Sequence, residues 1–328
     1  MPTRWATIVG VEDSLLVGRL ARGKGVVTAA ELRALGIGHN GARRLVRLGQ
    51  LTWVRQGVYL DTALLSDEPS AVARHVATSR AILRQRTGYA LSHVSAVGAW
   101  RLPVIEEDLG PIHLSGVGAG RARRSDTVRT HPPVAAVDVT VYDGMTLVRP
   151  ALAVVQTALD SGVRAGVVAA DAGLRGGWFG RDDLALAMAT LASRSGRRMV
   201  RARLMVELAS PRSESVGESW CRVLFAALGM AQPAQQVDIH DERGCFVARV
   251  DFLDRGTKTV IEFDGLTKYA GALGRDALVA EKRREDAIRR LGYRVVRLTW
   301  ADLSDPGRVV RLLGGPRGAP PEPHEHRQ

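Results

Sequence analysis

Cysteine is nearly missing, with only Cys221 and Cys245 in 328 residues. Two thiols make neither a thiolate zinc site nor a disulfide framework, and the eight histidines show no ligand spacing along the chain, so structural zinc is not expected. Aromatic residues are scarce at 5% and form no stacking motif of the kind that reads single-stranded RNA. No apolar run reaches the ~18–20 residues of a membrane-spanning helix. The stretch Ala6 to Val11 is short and soon broken by Glu12, Asp13 and Ser14, which argues against a secretory leader. A cytoplasmic chain with no membrane partner is the expectation. Acid is also in short supply: 34 Asp and Glu against 46 Lys and Arg leave a formal charge of +12. Such an excess favours a polyanion as partner, nucleic acid being the commonest.

What is present suits a globular chain. Hydrophobic residues reach 45% over a length that exceeds one ordinary core, so several domains are expected. The fold class expected is mixed α/β and multidomain. Residues 1–68 form a first domain, 69–193 an α+β middle domain, 194–212 a basic linker helix, 213–313 an α/β domain, and 314–328 a disordered tail rich in Pro, Gly and charge.

In the first domain, Thr28 and Glu31 have capping-box spacing, and the helix they open should end at Gly36. A second helix from His39 to Leu48 turns Ala42, Leu45 and Val46 inward, with Leu48 as a further inward candidate, and Arg43, Arg44 and Arg47 outward. Two short strands, at residues 51–54 and 57–60, flank a turn at Arg55, Gln56 and Gly57. Helix, turn, helix and β-wing make a winged helix-turn-helix. From Arg19 to Arg55 eight basic residues face the lone acid Glu31, a surface suited to phosphates. This segment, "VVTAAELRALGI…ARRLVRLGQLTWVRQGVYL", resembles the N-terminal domain of AbiEi-type antitoxins of type IV toxin-antitoxin systems. The resemblance implies operator DNA binding, with Arg43, Arg44, Arg47 and Arg55 on the nucleic-acid side.

The middle region reads as helices from Ala71 to Arg86 and from Ala90 to Trp100, then strands at residues 112–114, 127–129 and 137–140 around a basic loop. Arg121, Arg123 and Arg124 on that loop are candidate phosphate contacts. Pro150 starts a helix, and alanine-rich helices follow to Ala192. Ser92 and His93 read as a helix-start serine and a packed histidine, with no third partner for catalysis. The pieces "ALSHVSAVGAW" and "VRPALAVVQTALD" are similar to the middle region of the same antitoxin-like proteins.

Chemistry concentrates between Val247 and Asp264. With period two, Asp251 shares a face with Val247 and Arg249, and Glu262 shares one with Val260 and Asp264. A four-residue loop over Arg255, Gly256, Thr257 and Lys258 makes opposed residues sum to a constant, so that Asp251 faces Glu262. Two opposed acids repel unless a hard cation with oxygen ligands lies between them. Around this hairpin the order is a helix from Ser213 to Leu228 carrying Glu218, three antiparallel strands, a helix from Asp276 to Leu291 and a strand from Tyr293 to Thr299. That order is the core of the restriction-endonuclease-like fold.

Residues 213–312 resemble a domain family related to very-short-patch-repair endonucleases of the PD-(D/E)xK superfamily, through Glu218, "VDFLD", "VIEFDG", "EKRRED" and "LGYRVVRLTWADL". The resemblance implies that Asp251 and Glu262, with a carbonyl near Phe263, bind Mg²⁺ (or Mn²⁺), and that Glu218 assists. The lysine normally two residues after the second acid is Asp264 here. Lys268 or Lys282 would then supply the positive charge, and the catalytic set is Glu218, Asp251, Glu262, Asp264, Lys268 and Lys282. Two functions follow as expectations: a metal-dependent DNA endonuclease targeted by the winged helix, or a non-cutting repressor and antitoxin with a cognate nucleotidyltransferase-like toxin.

Overall fold

The computed structural model describes residues 11–65, 71–119, 123–265 and 275–314. Among them are thirteen α-helices and three β-sheets, a mixed α/β architecture. The described residues divide into two compact units, one taking in those up to Ala169 together with Trp178–Ala202, the other Ala170–Gly177 and the described residues from Arg203 onward. No helix among the described residues is long and apolar enough to cross a membrane. The tail expected to be disordered lies outside the described residues.

The first unit opens with helices Val11–Arg22, Ala29–Ala34 and His39–Arg47 and an antiparallel sheet ordered Val26–Thr28, Val58–Asp61, Leu51–Arg55. The capping box forms as the spacing demands: the Glu31 amide donates to Thr28 Oγ1 at 3.3 Å and the Thr28 amide to Glu31 Oε2 at 2.8 Å. Ala42 is buried with Leu16, Leu20, Leu32 and Leu51, and Leu45 and Val46 lean on the same core, whereas Leu48, a candidate for the inward face, caps the helix end and is exposed. Gly57 takes a positive φ of 74° at the turn between the two long strands, a conformation open to glycine without steric cost.

The rest of this unit is built on a six-stranded mixed sheet ordered Arg123–Arg124, Val128–Val134, Ile112–Val117, Tyr89–Leu91, Met145–Val148, Val139–Tyr142. Helices His93–Ala99 and Pro150–Ser161 pack on it, the latter buried from Ala151 through Leu159. Three local expectations are corrected. Tyr89–Leu91 is a strand and the helix begins only at His93, because Leu91 pairs with both Leu114 and Leu147. Arg123 and Arg124 form a short edge strand against Thr130 and Arg129 where a loop is expected. The strand expected at residues 137–140 starts at Val139, after a 3₁₀ turn at Ala136–Asp138. The sheet also contains Met145–Val148, which the alternation does not announce.

The second unit has a four-stranded sheet ordered Ala234–His240, Phe246–Asp254, Thr259–Phe263, Arg294–Leu298, with the last pair parallel. Its elements follow the expected bounds within three residues, and the basic segment before it carries the helix Met199–Leu208. Helix Val216–Ala227 covers one face through Cys221, Leu224 and Phe225 against Phe252, Ile261 and Leu298. Phe225 and Phe252, both fully buried, meet edge to face at 5.8 Å. Each such ring contributes about 2–3 kcal/mol by burial. Helix Arg275–Arg290 covers the other face, where Ile288 meets Ala248, Val250, Leu253 and Val260.

Candidate functional site

Glu218 and Glu262 both lie near enough to act on the charge of Asp251, although the ligand oxygens of the three acids do not all gather within 4.8 Å of one another. The ladder pairs Phe252 with Ile261, Leu253 with Val260 and Asp254 with Thr259, so its continuation sets Asp251 opposite Glu262. Strict alternation does not hold there. Val250 and Leu253 both pack towards Ile288, while Phe252 packs towards Phe225 on the other face. On the neighbouring strand Gln236 has a positive φ of 50°, a departure from extended geometry that accompanies the slip.

Each acid has its own support. Ser215 caps helix Val216–Ala227 by accepting the Glu218 amide at 3.1 Å, which fixes Glu218, buried, in the first turn. Glu218 Oε2 accepts from the Glu214 amide at 3.0 Å and from Gln236 Nε2 at 2.9 Å. Asp251 Oδ2 accepts the Phe263 amide at 2.9 Å. Glu262 Oε1 lies 2.6 Å from Arg284 Nη2. Burial first, then the Glu218 and Glu262 carboxylates, push the Asp251 carboxyl up to about 6, against the opposing pull of the Phe263 amide and Arg284. The same burial, aided by Asp251 and Glu218, drives the Cys221 thiol far up, so this cysteine is an inert core residue.

Gly217 lets this helix approach its neighbour. A Cβ there would run into the Phe263 ring, so helix and strand meet as closely as they do only because position 217 has no side chain.

Among the described residues the cation nearest these acids is Arg284, which the sequence reading passes over. Its Nη1 lies 3.2 Å from Glu281 and its Nη2 also donates to the Arg249 carbonyl at 2.7 Å. A signal for it existed: Arg284 precedes the fully buried Ile288 by one helical turn and therefore shares its inward face. Lys282 is exposed on the same helix, Lys268 lies outside the described residues, and Asp264 is half-buried with its amide on the Leu298 carbonyl at 2.8 Å.

In the first unit, Arg43, Arg44 and Arg47 are exposed on helix His39–Arg47. Arg43 and Arg47 line a groove with His39, Asn40, Val46, Trp53 and Tyr59, and Trp53 is 59% exposed. Glu31, the lone acid of this segment, is engaged by Arg19 at 3.6 Å and by Arg84, so it does not neutralise the outward arginines. Arg55 belongs to the strand Leu51–Arg55 and pairs with Val58 after a register shift. Arg123 is exposed on the edge strand with Arg124, whereas Arg121 lies outside the described residues.

The histidines correct the sequence reading. His93, His113 and His131 bring ring nitrogens to within 4.8 Å of one another, and among the described residues this is the group of three or more metal-ligand side chains so closely gathered. His93 therefore has partners, which linear spacing could not reveal. Burial holds both His93 and His113 well below the ordinary histidine range, with the neighbouring rings and Arg129 adding to it.

No family model matches the chain. Over 144 residues it is 28% identical to two uncharacterized proteins of Mycobacterium tuberculosis, MT2308 of strain CDC 1551 and Rv2248 of strain H37Rv. The match takes in 44% of this chain and 51% of each relative, so the chain spans about half the length of the curated relatives it matches.

Proposed function

We propose that this chain is a DNA-binding protein of the cytoplasm, with a winged helix-turn-helix near its N-terminus and a restriction-endonuclease-like second unit that hydrolyses DNA with Mg²⁺ or Mn²⁺. One observation carries the reading: Asp251, on a strand whose register sets it opposite Glu262, has its carboxyl raised to about 6 by its burial first and then by the buried Glu218 and by Glu262. A partly buried carboxyl with two further carboxylates acting on it is what a hard divalent cation relieves, and oxygen donors favour Mg²⁺ or Mn²⁺. Asp251 and Glu262 would hold the ion and Glu218 would assist. When bound, the ion supplies Lewis acidity at the scissile phosphate. Arg284 supplies a fixed positive charge beside the acids, the role expected of a lysine at position 264. The exposed Arg43, Arg44 and Arg47 would hold duplex phosphates.

A second reading is favoured by a specific feature. Glu262 is already engaged by Arg284 and position 264 is an acid, which suits a domain that holds nucleic acid without cutting, a repressor and antitoxin with a nucleotidyltransferase-like toxin as partner. Supercoiled plasmid incubated with purified chain and Mn²⁺ or Mg²⁺ separates the two. Nicking that disappears in Asp251→Ala, with DNA binding retained, supports the endonuclease. A wild-type chain that binds metal and DNA yet leaves plasmid intact supports the repressor.

A further inference from the structure

A second set of metal-binding side chains lies in the first unit and differs from the acids in kind. His93 begins a helix directly after the strand Tyr89–Leu91, while His113 and His131 come from the parallel strands Ile112–Val117 and Val128–Val134. His113 Nδ1 and His131 Nε2 are 2.9 Å apart. The His93 ring stacks on His131 with centroids 3.5 Å apart and lies 5.4 Å from the His113 ring. A tetrahedral zinc ion, with Zn–N bonds of ~2.0–2.1 Å, keeps its nitrogen ligands roughly 3.3 Å apart. Donors gathered within 4.8 Å reach that spacing by side-chain movements on the order of 1 Å, together with a turn of the His93 ring out of its 20° stack on His131 so that both in-plane lone pairs meet one ion.

We propose that His93, His113 and His131 bind one Zn²⁺ ion, with the fourth coordination position facing the adjoining cavity. The hydrogen bond between His113 and His131 accounts for that pair as ordinary packing, but not for His93. Two observations on His93 point the same way. Its backbone sits in the left-handed region at φ 52°, strain that a non-glycine residue keeps only where the surroundings impose it. Its Nδ1 is 3.0 Å from the buried Ser92 hydroxyl and its amide donates to Gln156 Oε1 at 3.2 Å. A hydroxyl on Nδ1 orients the ring and leaves Nε2 as the donor, as partners of metal-bound histidines do.

Asp160 adds negative charge, its Oδ2 being 3.8 Å from His113 Nδ1 and 2.9 Å from Arg129 Nη1. His93, His131 and Asp160 open onto a cavity of about 180 Å³ that Arg198 also lines. Three imidazoles with a solvent-reachable fourth position match catalytic rather than structural zinc, and the arginines favour an anionic oxygen there, hydroxide or an oxyanion. Nitrogen donors select zinc over Mg²⁺, which keeps this site distinct from the acids.

The test uses the untagged full chain, stripped with chelator and titrated with Zn²⁺ by calorimetry and with Co²⁺ by visible absorption. One ion per chain, with tetrahedral Co²⁺ bands that shift when inorganic phosphate is added, is the expected result. His131→Gln should weaken binding by roughly 100-fold or more, and Ser92→Ala by roughly 10–100-fold, with circular dichroism unchanged. Asp251→Asn/Glu262→Gln and His324→Ala/His326→Ala should bind as wild type does, which separates this site from the acids and from the tail histidines. A wild-type chain that takes up no stoichiometric zinc, or a folded His131→Gln that binds as tightly as wild type, overturns the proposal.

Discussion

Arg284 reaches Glu262 at 2.6 Å from a helix on one face of the second sheet, and the same nitrogen holds the Arg249 carbonyl at 2.7 Å. Among the described residues the closest positive charge therefore arrives from the helix and not from the strand that carries Glu262, with Arg297 of the paired strand farther off at 4.0 Å. It also competes with any cation for that carboxylate. Arg284→Ala should raise Mg²⁺ affinity by about 3–10-fold, the free-energy range of a partly exposed ion pair, as read by calorimetry. Unchanged affinity would mean that the guanidinium and the ion do not share Glu262.

Replacement of Arg43, Arg44 and Arg47 by Ala should weaken DNA binding and flatten its dependence on salt. Each lost phosphate contact lowers the slope of log K against log salt by roughly 0.9 on duplex DNA. Gel shifts over a salt series measure it, and an unaltered slope would remove these arginines from the interface.

His75 gives the first unit an acid sensitivity. Burial holds its imidazole down to about 4, whereas in the unfolded chain it titrates near 6.5. Between those values the unfolded state binds the extra proton, so stability rises with pH. The contribution is complete above about pH 6.5 and is lost as pH falls towards 4. Urea unfolding of wild type and His75→Gln at about pH 5 and pH 7.5 should differ in pH dependence by on the order of 2 kcal/mol. Parallel curves would contradict it.

Asp171 and Arg222 form a buried ion pair in the second unit at 3.0 Å, with side chains 1% and 8% exposed. Asp171 also accepts the Ser210 amide at 2.7 Å and the Ser219 hydroxyl at 2.8 Å, and Arg222 donates to the Leu208 carbonyl. Arg222→Met should cost about 3–5 kcal/mol by leaving a buried carboxylate uncompensated, and the double change with Asp171→Leu should cost much less than the sum of the single changes. Denaturant melts of the four proteins of this cycle check the coupling.

The second unit was legible in the sequence because its signals are local. Its four-residue turn fixed the register from Asp254 and Thr259 back to Phe252 and Ile261. Two things escaped. The slip of alternation near Asp251 goes with the backbone of Gln236, a residue on another strand. The histidine trio depends on the parallel pairing of Ile112–Val117 with Val128–Val134, which sets Ser115 beside His131. Parallel pairing joins segments through connections that leave no spacing rule, so His93, His113 and His131, 20 and 18 positions apart, gave no sign of meeting. The basic surface of helix His39–Arg47 was readable because one amphipathic helix contains it.

Gly217 gives the acid site a control that no ligand carries. Since the helix bearing Glu218 rests on Phe263 without an intervening methyl, and the Phe263 amide holds Asp251, the gap between the two carboxylates is a helix-to-sheet distance. An alanine at 217 would act as a wedge. It would leave the acids chemically intact but spread their oxygens, so under the proposed metal-binding reading calorimetry should find affinity moving from Mg²⁺ towards larger cations such as Ca²⁺.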